Sequence, residues 1–320
     1  MRIANRRTVQ TLALLAGASM VITACGDDGG GGGGGDGELS GASITVGSKE
    51  FNEQLLLGQI AIQALENAGA SVSDQTGIQG TANTRAALEA GEIDMYWEYT
   101  GTGWGEILGN EIADAPSDTQ ELAQQVADQD AENNIAWLLP PAEANNTYAI
   151  AAHSSTAEDL GISTLSEYAE LVNQDPAQGS LCAAAEFLDR ADGWPGVEEA
   201  YGFTLPQEQI TEMDLNLVYA RVTEADPCNF SEVFATDGRI PGNDLVIIED
   251  DQNVFVAYNT TMTVRQEVLD ENPAIEEIFA PIIEALTNEK MLELNERVDV
   301  MAEPPEQVAE DFLEEEGLLE

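Results

Sequence analysis

Short apolar runs alternate with longer stretches of helical period along the chain from residue 42 onward. The run SITVGS at 43–48 predicts a strand, and the polar loop Lys49-Glu50-Phe51-Asn52-Glu53-Gln54 follows it. Leu57, Ile60, Ala61, Ala64 and Ala68 then recur at helical spacing up to Gly69, which predicts a helix with one buried face. A strand around Val72, a helix over 80–91 and a strand from Met95 continue the alternation, as a parallel sheet requires. Beyond these the pattern predicts helices near Glu106 and over 119–133, the strand IAWLL at 135–139 and the break Pro140-Pro141. The strand TYAIAAH at 147–153 opens a second lobe. That lobe contains a helix over 165–173, the strand LCAAAEF at 181–187, a helix around 217–222, the segment 228–236 and the strand LVIIEDD at 245–251. The chain returns at 255–258, and helices over 274–287, 290–298 and 305–319 cover the first lobe. There is no internal sequence repeat.

The nonamer YWEYTGTGW at 96–104 sets rings, a carboxylate and two hydroxyls beside a glycine turn at the carboxyl end of a strand. Open α/β sheets bind ligands at that end. Tyr96, Trp97 and Tyr99 could equally fill a core, as aromatic side chains usually do. Lys49, beside a helix start, either offers positive potential to an anion or is a surface lysine. Glu186 and Arg190 stand four apart and would form an ion pair on a helical turn.

A length of 320 residues with 43% hydrophobic content suits two lobes of ordinary size. Residues 1–24 read as an export signal: Arg2, Arg6 and Arg7, an apolar run over 11–22, then Thr23-Ala24 ahead of Cys25. Arg6-Arg7 leaves the twin-arginine route open. With the cysteine in place this segment resembles a bacterial lipoprotein box, so Cys25 is expected to carry the lipid and 25–41 to form a Gly/Asp-rich tether. Sixty acidic against 11 basic residues, a net charge of −49, exclude nucleic acid as a natural partner. Such a surface keeps an exported protein soluble in salt and draws cations. Cys182 and Cys228 remain after lipidation and are expected to pair in an oxidising compartment. His153 is the sole histidine, so neither a Cys/His metal cluster nor a cofactor site is expected.

Seven segments carry a resemblance: VGSKEFNEQ at 46–54, GTANTR at 80–85, EYTGT at 98–102, NNTYA at 145–149, EFLDRADG at 186–193, FATDGRI at 234–240 and NEKMLELN at 288–295. In this order they resemble the lipid-anchored substrate-binding proteins of ABC transporters that import quaternary-ammonium osmoprotectants such as glycine betaine, choline, carnitine and proline betaine. The resemblance implies an α/β, two-lobe periplasmic-binding-protein-like fold of type II with two crossings, lobe 1 being 42–146 plus 258–320 and lobe 2 being 147–257. It implies an aromatic box of Tyr99, Tyr148, Phe234 and Tyr258, with Lys49, Thr102 and Arg190 for the ligand carboxylate and Glu186 bordering the site. Phe234 stands where tyrosine is common, and Asn146 where aspartate is frequent. The implied function is a monomeric, non-enzymatic receptor on the outer face of the cytoplasmic membrane that passes a quaternary amine, glycine betaine foremost, to a permease. An osmolyte sensor and a carboxylate-based hydrolase are the alternatives. A quaternary ammonium has no proton to donate, so ring quadrupoles are the chemistry that can hold it.

Overall fold

The computed structural model describes residues 37–319. The expected signal at 1–24, Cys25 and most of the tether lie outside the described residues. The end of that tether belongs to the folded body: Leu39 is buried, and its N–H donates to Ala68 O at 2.8 Å.

In chain order the first lobe holds β1 (Ser43–Lys49), α1 (Asn52–Asn67), β2 (Ser71–Ile78), α2 (Thr81–Ala90), β3 (Met95–Tyr99), the single turn α3 (Thr100–Thr102), α4 (Thr119–Asp130) and β4 (Ile135–Trp137). The second holds β5 (Tyr148–His153), α5 (Ser154–Leu160), α6 (Leu165–Gln174), β6 (Leu181–Ala183), α7 (Ala185–Asp189), α8 (Trp194–Tyr201), β7 (Ile210–Glu212), α9 (Leu215–Glu224), β8 (Phe230–Phe234), α10 (Arg239–Gly242) and β9 (Leu245–Ile248). The chain then returns as β10 (Thr260–Arg265), α11 (Gln266–Glu271), α12 (Ala274–Ala285), α13 (Asn288–Asp299) and α14 (Pro305–Glu315).

The strands form two five-stranded sheets, ordered β2-β1-β3-β10-β4 and β7-β6-β8-β5-β9. Both are mixed rather than wholly parallel. β1 pairs in parallel with β2 and β3, and β6 with β7 and β8, whereas β10 and β5 run antiparallel to their neighbours. The two antiparallel strands are those that directly follow a crossing between sheets. Topology therefore repeats where sequence does not.

The apolar face of α1, with Leu57, Ile60 and Ala61 wholly buried, packs β1 against α12 to α14 through Phe279 and Phe312. Each large aliphatic or aromatic side chain so buried contributes about 1.5–3 kcal/mol. A second core gathers Tyr168, Phe187, Trp194 and Phe230 under the second sheet.

The expected strand at 181–187 stops at Ala183, and residues 185–189 turn helical. This change of direction brings Glu186 and Arg190 to the cleft. β7, β10, α5, α8, α10 and α11 are not among the elements expected from the sequence pattern. His153 caps α5, its ring nitrogen accepting from Ser155 N–H. Among the described residues no helix is long and apolar enough to cross a membrane.

Candidate functional site

The two crossings run side by side. Asn145 and Asn259 form an antiparallel bridge, Asn146 N–H donates to Tyr258 O at 3.1 Å, and Tyr258 N–H donates to Asn145 Oδ1 at 2.7 Å. Tyr148 and Tyr258 are thereby neighbours, with ring centroids 5.5 Å apart and nearly perpendicular. Antiparallel register sets Tyr148 opposite Phe234, at 5.3 Å. Phe51, at the start of α1, reaches across to Phe234 at 5.1 Å and stacks on Tyr99 at 6.4 Å. Gly101 permits this packing, since a Cβ there would meet the Tyr258 ring at 2.8 Å.

The rings wall a cavity of about 620 Å³ between the sheets. Tyr99, Tyr148, Phe234, Tyr258, Arg190, Lys49, Thr102, Glu186 and Asn146 all line it. The nonamer at 96–104 divides: Tyr99 and Thr102 face the cavity, whereas Tyr96, Trp97 and Trp104 are core.

Both cations of the cavity are already partnered. Lys49 Nζ lies 2.6 Å from Glu98 Oε1 and 3.4 Å from Thr81 Oγ1, and 5.0 Å from the Tyr99 ring centroid. Arg190 forks onto Asp192, with Nε at 2.7 Å from Oδ1 and Nη2 bonded to Oδ2. Its Nη1 meets Glu186 Oε1 at 3.0 Å, its Nη2 lies 3.5 Å from Thr102 Oγ1, and the guanidinium sits 5.4 Å from the Tyr148 ring centroid. Tyr258 OH donates to Asp192 Oδ2 at 2.7 Å. Burial opposes the charge of Glu186, yet Lys49, Thr81 and Arg190 outweigh it and hold its pKa below the ordinary value. Arg85 of the GTANTR segment has a different task, a two-pronged ion pair with buried Asp130 beneath the Trp137 indole.

Behind the box, Glu53 accepts from Tyr99 OH and Asn146 Nδ2 at Oε1 and from Asn295 Nδ2 at Oε2, each at 2.7 Å. Among the described residues no cation joins this network, and burial raises the Glu53 pKa. Thr236 Oγ1 lies 2.7 Å from both Glu53 Oε2 and Asn146 Oδ1. One hydroxyl proton cannot serve two acceptors. A neutral Glu53 resolves the conflict by donating to Thr236, which then donates to Asn146. An aspartate at position 146 would set a second carboxylate against this group.

The profile of the family described as the substrate-binding domain of ABC-type glycine betaine transport systems matches residues 42–315. The chain belongs to this family. It is a substrate-binding receptor of ABC-type transport, and the family is not one of enzymes. The glycine-betaine-binding protein of Pseudomonas aeruginosa is 36% identical, over 87% of this chain and 89% of its own. The glycine betaine-binding protein YehZ of Escherichia coli is 31% identical, over 87% and 92%. Its apo structure superposes with a TM-score of 0.62, covering 86% of this chain and 99% of that one. The ergothioneine transport permease/binding protein EgtU of Helicobacter pylori is 33% identical over 86% of this chain, which spans 48% of that longer protein.

Sequence reasoning passed over Phe51, Glu53, Asp192 and Glu232. The first three lie inside the motifs quoted for the family. Glu232 had a signal of its own: it is the lone carboxylate between Phe230 and Phe234 on one face of β8.

Proposed function

We propose that this receptor captures a quaternary amine, glycine betaine foremost, between its two lobes by hinge closure and delivers it to the permease of an ABC importer. The lobes are 42–146 plus 258–320 and 147–257, and the protein acts as a monomer held at the outer face of the cytoplasmic membrane by lipid on Cys25. The observation that carries this reading is the set of rings, Phe51, Tyr99, Tyr148, Phe234 and Tyr258, around one cavity. Each desolvated ring contributes about 0.5–2 kcal/mol to a bound cation, so several supply much of the roughly 8 kcal/mol of micromolar binding. The methylated cation sits among the rings. Its carboxylate turns toward Lys49, Thr102 and Arg190, where the ammonium keeps a hydrogen not committed to Glu98 or Thr81, and Arg190 keeps one on Nη1.

Calorimetric titration with glycine betaine, choline, carnitine and proline betaine tests the reading, and binding of none of them would sink it. The anchor is tested in the same preparation. Signal-cleaved Cys25→Ser protein should leave the membrane fraction, and retention there at high salt would refute attachment through Cys25.

A further inference from the structure

Glu232 forms part of the wall of the cavity and is only 2% exposed. Its Oε2 accepts from Ala184 N–H at 2.7 Å, and among the described residues no other hydrogen bond reaches its carboxyl. The charged groups lining the same cavity are Glu186 and Arg190 around α7, Glu212 and Asp214 around β7, and Lys49 and Glu50 at the end of β1. Among the described residues neither cation pairs with Glu232: Lys49 pairs with Glu98, and Arg190 with Asp192 and Glu186. A carboxylate so nearly buried, with a single neutral donor, is costly, so the group takes up a proton instead. Burial, reinforced by Glu186 and opposed by the Ala184 N–H and Arg190, raises its pKa to about 8. With Oε2 committed as an acceptor, the proton resides on Oε1.

We propose that Glu232 is a ligand-binding and specificity-determining residue: its neutral carboxyl donates a hydrogen bond from Oε1 to the carboxylate of a zwitterionic quaternary amine, favouring betaines over choline. This rests on the quaternary-amine reading above. The donor supplements Arg190, whose fork Asp192 already occupies. An ionised Glu232 would do the opposite, repelling a ligand carboxylate and welcoming the bare cation of choline.

The test titrates glycine betaine and choline into wild type, Glu232→Gln and Glu232→Leu. Glutamine keeps an acceptor for Ala184 N–H and offers an amide donor in place of the acid proton. In wild type the affinity for glycine betaine should fall by about tenfold per unit once the pH passes the Glu232 pKa, while that for choline does not fall. Glu232→Gln should match wild type near neutral pH and lose this pH dependence. Glu232→Leu should weaken glycine betaine about tenfold and leave choline within about threefold, the loss of one charge-assisted hydrogen bond. Thermal unfolding of each variant checks folding, and if the leucine variant fails to fold, the pH profile of the glutamine variant decides alone. Glutamine as damaging as leucine would show that the ionised form binds and would overturn the proposal. Variants indistinguishable from wild type, with pH-independent binding of both ligands, would remove Glu232 from the site and leave the receptor reading standing. A wild type that binds neither ligand would remove both.

Discussion

At the scale of single residues the rings and the ion pairs answer to different parts of a ligand. Tyr148 touches Phe187, Phe234 and Tyr258, and the Arg190 guanidinium lies over its face. Tyr148→Ala should weaken glycine betaine and choline alike, by about 3- to 30-fold, because both carry the same trimethylammonium group. Tyr258→Ala should do the same and additionally strip a donor from Asp192, so Tyr258→Phe isolates the ring from the hydroxyl. Arg190→Ala should weaken glycine betaine more than choline. Since that substitution also leaves Asp192 buried without its cation, it should lower the unfolding temperature too. Titration of both ligands into these variants checks the division. Equal loss of both ligands in Arg190→Ala, alongside destabilisation, would make Arg190 a fold residue only.

At the scale of elements, the early end of β6 matters most. By stopping at Ala183 it frees 185–189 to turn as α7, from which Glu186 reaches Thr81 at the start of α2, Oγ1 to Oε1 at 2.6 Å and N–H to Oε2 at 3.3 Å. A helix N-terminus favours such a carboxylate. β6 is held by Cys182, which is bonded to Cys228 just ahead of β8, with Cα atoms 5.6 Å apart at a sequence separation of 46. Closing a loop of that length restricts the unfolded chain by about 4 kcal/mol in the entropic account. The double variant Cys182→Ala/Cys228→Ala should therefore unfold at lower denaturant concentration, by up to that amount, while still binding ligand at room temperature because neither sulfur lines the cavity. Unchanged stability in denaturant titration would show that the closed loop adds nothing.

For the molecule as a whole, polar groups join the lobes on both sides of the two crossings. Thr81 with Glu186 and Thr102 with Arg190 meet in the cleft, whereas Glu53, Thr236 and Asn295 meet behind it, with Asn295 Nδ2 also donating to Thr236 O at 2.9 Å. Gly238 lies so close to α13 that a Cβ would fall 2.5 Å from Glu296 Cα. Asp299, bound by Asn52 Nδ2 at 2.6 Å, shares this rear junction. Burial, then the charge of Asp237, raise its pKa to about 6, against the pull of Arg239 and Asn52. For a carboxyl raised on folding, the stabilising neutral form is fully present below its ordinary pKa and is lost as pH rises through the folded value. Asp299 and Glu232 together place that loss between the ordinary carboxyl values near pH 4 and about pH 8, the Asp299 part being complete by about pH 6. The unfolding temperature should decline across this window, and Asp299→Asn should flatten its acidic half. A wild-type profile that rises there would contradict the assignment.

The sequence by itself determined the alternation of strands and helices, the rings Tyr99, Tyr148, Phe234 and Tyr258 and the cations Lys49 and Arg190 that line the cavity, and the family, because these reside in local periodicity and in motifs that carry their chemistry on adjacent positions. VGSKEFNEQ, for example, holds Lys49, Phe51 and Glu53 within one turn of chain entering α1. Tertiary structure decided what those residues are free to do. Arg190 reads in sequence as a partner of Glu186 and of the ligand carboxylate, but Asp192, two positions away, folds back onto it and also accepts from Tyr258 OH. The mixed sheets were equally out of reach, since β5 and β10 pair with strands distant in sequence and their antiparallel direction follows from the two crossings. Glu232 shows the difference most sharply. Its place between Phe230 and Phe234 marks it as the carboxylate on an apolar strand face, but its protonation is decided only where folding buries it and leaves it a single donor.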